Sequence, residues 1–139
     1  MEIKLKIQLK PTPHQSVKMT RGGRTYQPKK ILDYKAKVQE AVREQLPSGF
    51  SCIGADANIH ITKLHYLFEY TKSTPKYKRG GLIPKNSRPD LHDNLNKALF
   101  DALEGIVWER DQNIVAMDDV RKYYAPEDAI IINIQCLNS

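Results

Sequence analysis

Asp90, Asp93, Lys97 and Asp111 are the residues whose types and spacing could do chemistry. Cleaving a phosphodiester requires an activated water and charge neutralisation on the phosphate and the leaving oxygen. A divalent ion, usually magnesium, does both when two or three carboxylates hold it and leave positions open for water and phosphate. Asp90, Asp93 and Asp111 converge on such an ion if the turn containing Gly105 folds residues 108–111 back beside the start of the helix before it. Lys97 lies one turn beyond Asp93 on the same face, placed to pair with it or to meet a phosphate as a point charge. Each residue also has a plain structural alternative. Asp93 could serve as an N-cap, Asp90 as a turn residue, Lys97 as a surface ion-pair partner and Asp111 as a loop charge. Spacing alone leaves both readings open.

The elements that must position these residues follow from local pattern. Pro89 biases Arg88 towards extended backbone, so an element begins just after it. Asp90 or Asp93 is a good N-cap and Gly105 a good stop. Between them Leu95, Ala98, Leu99, Ala102 and Leu103 recur at helical spacing, predicting a helix over 93–103 with Asp93, Lys97, Asp101 and Glu104 on its other face. Phe100 falls away from the apolar arc, as a subunit contact or as an aromatic under the 71–88 loop. Upstream, Ile3, Leu5, Ile7 and Leu9 alternate with polar residues as a strand buried on one face, ended by Pro11 and Pro13. A helix is predicted over 31–46, stopped by Pro47-Ser48-Gly49. A central strand follows over 57–70, with Ile59, Ile61 and Leu67 on one face and Leu64, Tyr66 and Phe68 on the other. His60 and His65 sit on opposite faces of it as packed or edge histidines. Strands over 114–124 and 129–137 complete the order β-α-β-α-β-β. The fold class is α/β (α+β): one domain over 1–139, with two helices packed on a mixed sheet.

The 139 residues suffice for one sizeable core, and no apolar run is long enough to span a bilayer. Met1-Glu2-Ile3-Lys4 alternates instead of reading as a signal peptide, and Cys52 and Cys136 show no zinc or Cys-x-x-Cys spacing. A cytoplasmic, non-membrane protein is the expectation. The net charge of +6 points only weakly to a polyanionic partner, but its placement is more informative. One loop, 14–30, carries Lys18, Arg21, Arg24, Lys29 and Lys30, with Tyr26 among them. A second, 71–88, carries Lys72, Lys76, Lys78, Arg79, Lys85 and Arg88, and reads as disordered without its partner. Neither contains a carboxylate, whereas acids gather from Asp90 to Asp119. Basic flanks around an acidic centre suit a phosphate gripped on both sides of a metal; two solvated basic loops suit the charge pattern equally.

The run Asp90-Leu91-His92-Asp93-Asn94-Leu95-Asn96-Lys97-Ala98, then Phe100-Asp101-Ala102-Leu103 and Trp108-x-x-Asp111, resembles the signature of RusA-type Holliday junction resolvases. That family's core reads Asp-Leu-Asp-Asn-Leu-x-Lys-Ala, followed by Phe-Asp-Ala-Leu and an aromatic, acidic turn. Gly23-Arg24-Thr25 and Tyr34-Lys35-x-Lys37-Val38 extend the likeness towards the front of the chain. The resemblance implies a homodimer whose magnesium-dependent aspartates (manganese is an alternative ion) cut a four-way DNA junction symmetrically. By position it implies Asp90, Asp93 and Asp111 as metal ligands and Lys97 as the catalytic or phosphate-facing lysine. Three departures stand out: His92 lengthens the aspartate spacing, Arg110 replaces an acid, and the 71–88 loop is long. The expected function is therefore a structure-specific endonuclease for branched DNA. A non-catalytic branched-DNA-binding protein, or a metal nuclease for flaps or single strands, is the alternative.

Overall fold

Strand β4 (Ile59–Glu69) organises the sheet, because its central stretch is apolar towards the helices and it pairs on both edges. The computed structural model describes residues 1–14 and 18–137, the side chain of Lys18 excepted. On one edge of β4 lies β8 (Ala129–Cys136), antiparallel, and β8 pairs in turn with β1 (Glu2–Ile7). The isoleucine-rich run of β8 suits this central position, where β-branched side chains pack against neighbours on the pleated surface. On the other edge β6 (Ile114–Met117) and β7 (Val120–Ala125) run parallel to β4, one after the other. The short β5 (Ile83–Pro84) closes that side antiparallel to β7. The result is one α+β domain with a mixed sheet.

Two helices cover one face. Helix α1 (Lys29–Gln45) buries Ile31, Tyr34, Val38 and Val42; helix α2 (Asn96–Leu103) buries Ala98, Leu99, Ala102 and Leu103. They share one core with Ile3, Leu5 and Ile7 of β1 and with Ile130, Ile132 and Ile134 of β8. Gln39 Nε2 donates to the Ala102 carbonyl at 3.1 Å, and Lys35 Nζ lies 3.6 Å from Asp101, so polar contacts fix the helices' relative register.

Several expectations are corrected. The single strand over 114–124 is broken at Asp118-Asp119, where Asp119 takes a left-handed backbone (φ 50°) that Asp tolerates better than most residues. The break is braced by histidines: His60 Nε2 lies 2.5 Å from Asp118, and His65 Nε2 lies 3.0 Å from Asp119. The faces of β4 also differ from simple alternation. A register shift between Ile61 and Lys63 inserts one residue, so Ile59, Ile61, Leu64, Tyr66 and Phe68 all face the helices. Leu67 joins a small second cluster with Ala125 and Ala129. A bulge reverses the parity of a strand, which period-two counting misses.

The loops are more built than expected. Residues 14–30 contain a hairpin of β2 (Lys18–Met19) and β3 (Thr25–Tyr26), turned at Gly23 with φ 81°. Residues 71–88 are folded back on themselves, with a 3₁₀ turn at Lys76–Lys78 and β5 within them. Phe100 is half-buried edge-on against Trp108, ring centroids 5.7 Å apart, and is therefore not an exposed aromatic.

Candidate active site

A strap of residues 85–89 delivers the chain to Asp90, and β7 holds it from below. The Lys85 amide donates to the Lys122 carbonyl at 3.1 Å. Lys122 Nζ donates to the Ser87 carbonyl at 2.6 Å and to the Pro89 carbonyl at 2.7 Å. Ser87 Oγ lies 3.2 Å from Tyr124 Oη. Lys122 and Tyr124 pair in register with Tyr66 and Phe68, so both point towards the helix side of the sheet, beneath the strap.

Asp90 is extended (φ −68°, ψ 140°) and caps a π-helical turn at Leu91–Leu95, whose widened bond runs from the Leu95 amide to the Asp90 carbonyl at 3.1 Å. A π turn accommodates one residue more than an α turn, so His92, the residue in excess of the family core, is absorbed here without breaking the helix. Buried Leu95 anchors the turn, the His14 amide donates to the Asn94 carbonyl at 2.9 Å, and Tyr66 Oη donates to Asn96 Oδ1 at 2.8 Å. Asp90 and Asp93 are exposed on either side of this one turn, and Lys97 is exposed on the next. His92 is 80% exposed, with Nε2 3.3 Å from Asp93 Oδ2. Lys97 has no ion-pair partner among the described residues.

At the other end of α2 the Gly105 turn (φ 83°) does fold the chain back. The Gly105 amide donates to the Trp108 carbonyl at 2.7 Å, and Ile53 exchanges bonds with Val107 and Glu109 at 2.9 Å each. Trp108 is fully buried. A 3₁₀ turn, Asp111–Asn113, follows, with Asn113 buried and its Nδ2 donating to the Ala55 and Ala57 carbonyls at 2.7 and 2.8 Å. The Asp111 amide donates to Glu104 Oε1 at 3.3 Å, so Asp111 adjoins the C-terminal end of α2 while Asp90 and Asp93 precede its start. Eight helical residues span about 12 Å between those ends. Among the described residues no three Asp, Glu, His or Cys side chains form a group that could hold a metal ion.

The cationic candidates divide by what they touch. Arg21, Arg24, Lys29 and Lys30 are exposed on or beside the hairpin; the Lys18 side chain lies outside the described residues. Lys76, Lys78 and Arg88 are exposed in the second segment. Arg79 instead donates to the Thr74 and Thr71 carbonyls at 3.2 and 3.3 Å and shapes its own loop. Lys85 packs over the Phe68 and Tyr124 rings, 5.0 and 4.6 Å from their centroids. Hydrogen bonds from Ser87 and then Lys85 hold the Tyr124 hydroxyl below the ordinary phenol range. Sequence reading missed Lys122 and Tyr124, and placed Glu104 only on the polar face of the helix. The available signal was a lysine on the inward parity of a strand, which needs a partner in the fold.

An α+β domain that presents two exposed carboxylates and a free lysine on one helix start, flanked by carboxylate-free basic segments, has the makings of a nucleic-acid hydrolase. The family model described as Endodeoxyribonuclease RusA matches residues 7–135. The chain belongs to this family of endonucleases, which resolve Holliday junctions and act on branched DNA. No curated protein matches the chain. No helix among the described residues is long and apolar enough to cross a membrane.

Proposed function

We propose that the protein is a magnesium-dependent endonuclease that resolves four-way junctions by paired symmetric nicks, acting as a homodimer in DNA recombination and repair. The observation that carries this is the Asp90–Asp93 turn with Lys97 beside it, all three exposed and Lys97 unpaired among the described residues. Magnesium keeps several waters and is bound by one or two carboxylates plus substrate phosphates, with manganese the usual substitute. Asp90 and Asp93 suit that donor set, and Asp111 is proposed as the third ligand from its position in the family motif. When bound, the ion supplies charge neutralisation and an acidified water.

The chain's own groups do the remaining work. Asp90 and Asp93 hold negative charge at a helix start, and Lys97 meets a phosphate oxygen as a point charge. Lys18, Arg21, Arg24, Lys29 and Lys30 on one side, and Lys76, Lys78, Lys85 and Arg88 on the other, grip backbone phosphates. Arg79, earlier grouped with them, acts through the loop it braces. Phosphate contacts carry no sequence information directly, so selectivity rests on the shape of the branch. Two symmetric nicks require two such turns, hence two subunits.

One observation favours a second reading, a junction-binding protein without cleavage: no three candidate ligands are grouped among the described residues. One experiment separates the two. A synthetic four-way junction, a matched duplex and a flap are incubated with and without magnesium, using the natural chain and Asp93→Asn. Paired nicks confined to the junction, lost in the variant while binding persists, are expected. Tight junction binding without cutting in magnesium or manganese would establish the second reading, and cutting of the flap alone would indicate a different nuclease.

A further inference from the structure

Beside the Asp90 turn lies a cleft of about 390 Å³ that gathers Lys85 and Arg88, two of the cations proposed above to grip phosphates. Its walls include Lys10, Lys85, Arg88, Phe68 and Tyr124, and its rim includes Pro89, the residue before Asp90. Two carboxylates, Glu69 and Asp128, also line it, leaving three cations against two acids. Asp128 is already engaged, accepting the Glu69 amide at 2.8 Å through Oδ1. None of the three cations has a carboxylate partner within ion-pair distance among the described residues.

Lys85 is the informative residue. Its Nζ donates to Ser87 Oγ at 2.9 Å and to Tyr124 Oη at 3.1 Å, and it rests against two aromatic faces. An ammonium has three donors, so one remains. A free lysine surrenders substantial rotamer entropy on binding, whereas this one is already ordered, which favours capture of an anion. The Phe68 and Tyr124 rings present faces to the ammonium, so they are not free to stack a base. The ligand chemistry that remains is a phosphate.

We propose that this cleft docks a second backbone phosphate of the bound DNA, separate from the one attacked at the Asp90–Asp93 turn. The inference rests on the junction-binding reading above and adds a subsite to it. Lys85 and Asp90 are five residues apart, at most about 18 Å of extended chain, so the docked phosphate lies within a few nucleotides of the cut. Tyr124 is the second ligand, donating through the hydroxyl that accepts from Lys85 Nζ at 3.1 Å.

The test is binding by Asp93→Asn, which blocks cleavage, to junctions in which single phosphates near the cut are replaced one at a time by neutral methylphosphonates. Neutralising one position is expected to weaken binding about tenfold. The same position is expected to be silent in Asp93→Asn/Lys85→Met, with sensitivity at other positions unchanged. Asp93→Asn/Lys85→Arg, which retains a cation on the same stem, is expected to recover part of the sensitivity and so separates lost charge from lost folding. An identical sensitivity map with and without Lys85 overturns the subsite, as does a map with no sensitive position near the cut. Because the readout is binding, a chain that binds but does not cut fails the nuclease reading alone.

Discussion

Lys122 Nζ donates to the Pro89 carbonyl at 2.7 Å and, with a second proton, to the Ser87 carbonyl at 2.6 Å. A strand residue thus ties down the backbone next to Asp90, from a register position opposite Tyr66. Lys122 touches neither carboxylate in this arrangement, so it acts by positioning. In Lys122→Met the strap loses both bonds while the stem keeps much of its packing. Misplacement of a catalytic group by about 1 Å can reduce rate on the order of 10²-fold, so kcat is expected to fall by that order with junction Kd changed little. Lys122→Arg is expected to restore part of the rate. Single-turnover cleavage alongside equilibrium binding measures the split; equal losses in both would mean that Lys122 contacts DNA instead.

His92 enters the site as backbone more than as side chain. It is exposed, and the π turn at Leu91–Leu95 takes up the extra residue. His92→Ala is therefore expected to leave both thermal midpoint and cleavage unchanged. Deleting His92 is expected to leave a folded protein, because the turn can revert to ordinary α bonding, and to retain cleavage with the two aspartates one residue closer. Circular dichroism melting and the junction assay check both variants. A large fall in cleavage for His92→Ala would assign the imidazole a direct role.

The degree to which this site was legible in the sequence follows from how local each signal is. The helix carrying Lys97, the strand β1 and the Gly105 stop are set by short-range periodicity and backbone preference; all three form, though α2 begins at Asn96 behind the π turn and β1 ends at Ile7, short of Leu9. The bulge in β4 and the break at Asp118-Asp119 depend on cross-strand register, which no window along the chain contains. The same holds for Lys122 and Tyr124, ordinary strand residues until β7 is laid under the strap. Asp111 is the counterpart: the Gly105 turn brings its amide to Glu104 at the end of α2, a direction that turn chemistry alone does not specify.

Tyr66 links the core to the site. Its ring is fully buried, and its hydroxyl donates to Asn96 Oδ1 at 2.8 Å, immediately before Lys97. Burial pushes this phenol well above its ordinary range, so it remains a neutral donor at any working pH. Tyr66→Phe removes that donor, and a net hydrogen-bond contribution of about 1 kcal/mol is expected to be lost. In a domain of this size the thermal midpoint should fall by roughly 3–5 °C. Asn96→Ala, removing the partner, tests the pair as a double-mutant cycle: the double variant should be less destabilised than the sum of the singles. Simple additivity would dissociate the bond from stability.

Asp119 supplies a pH signature. The His65 ring, with Nε2 3.0 Å away, and then the hydrogen bond from Arg121 Nε hold its carboxyl below the ordinary 3.8. A carboxylate with a lowered pKa in the folded state contributes stability that is fully present above its unfolded value and is lost as pH falls through the folded one. The contribution is therefore complete at neutral pH and disappears only in acid, below about pH 4. Asp119→Asn removes the charge while keeping a residue type that tolerates the left-handed backbone at this position. Urea unfolding from pH 7 down to pH 3 is expected to show the natural chain with the higher midpoint at pH 7. The two midpoints should then draw together as pH drops below 4. Parallel curves across that range would mean that the His65–Asp119–Arg121 cluster stabilises the fold through geometry alone.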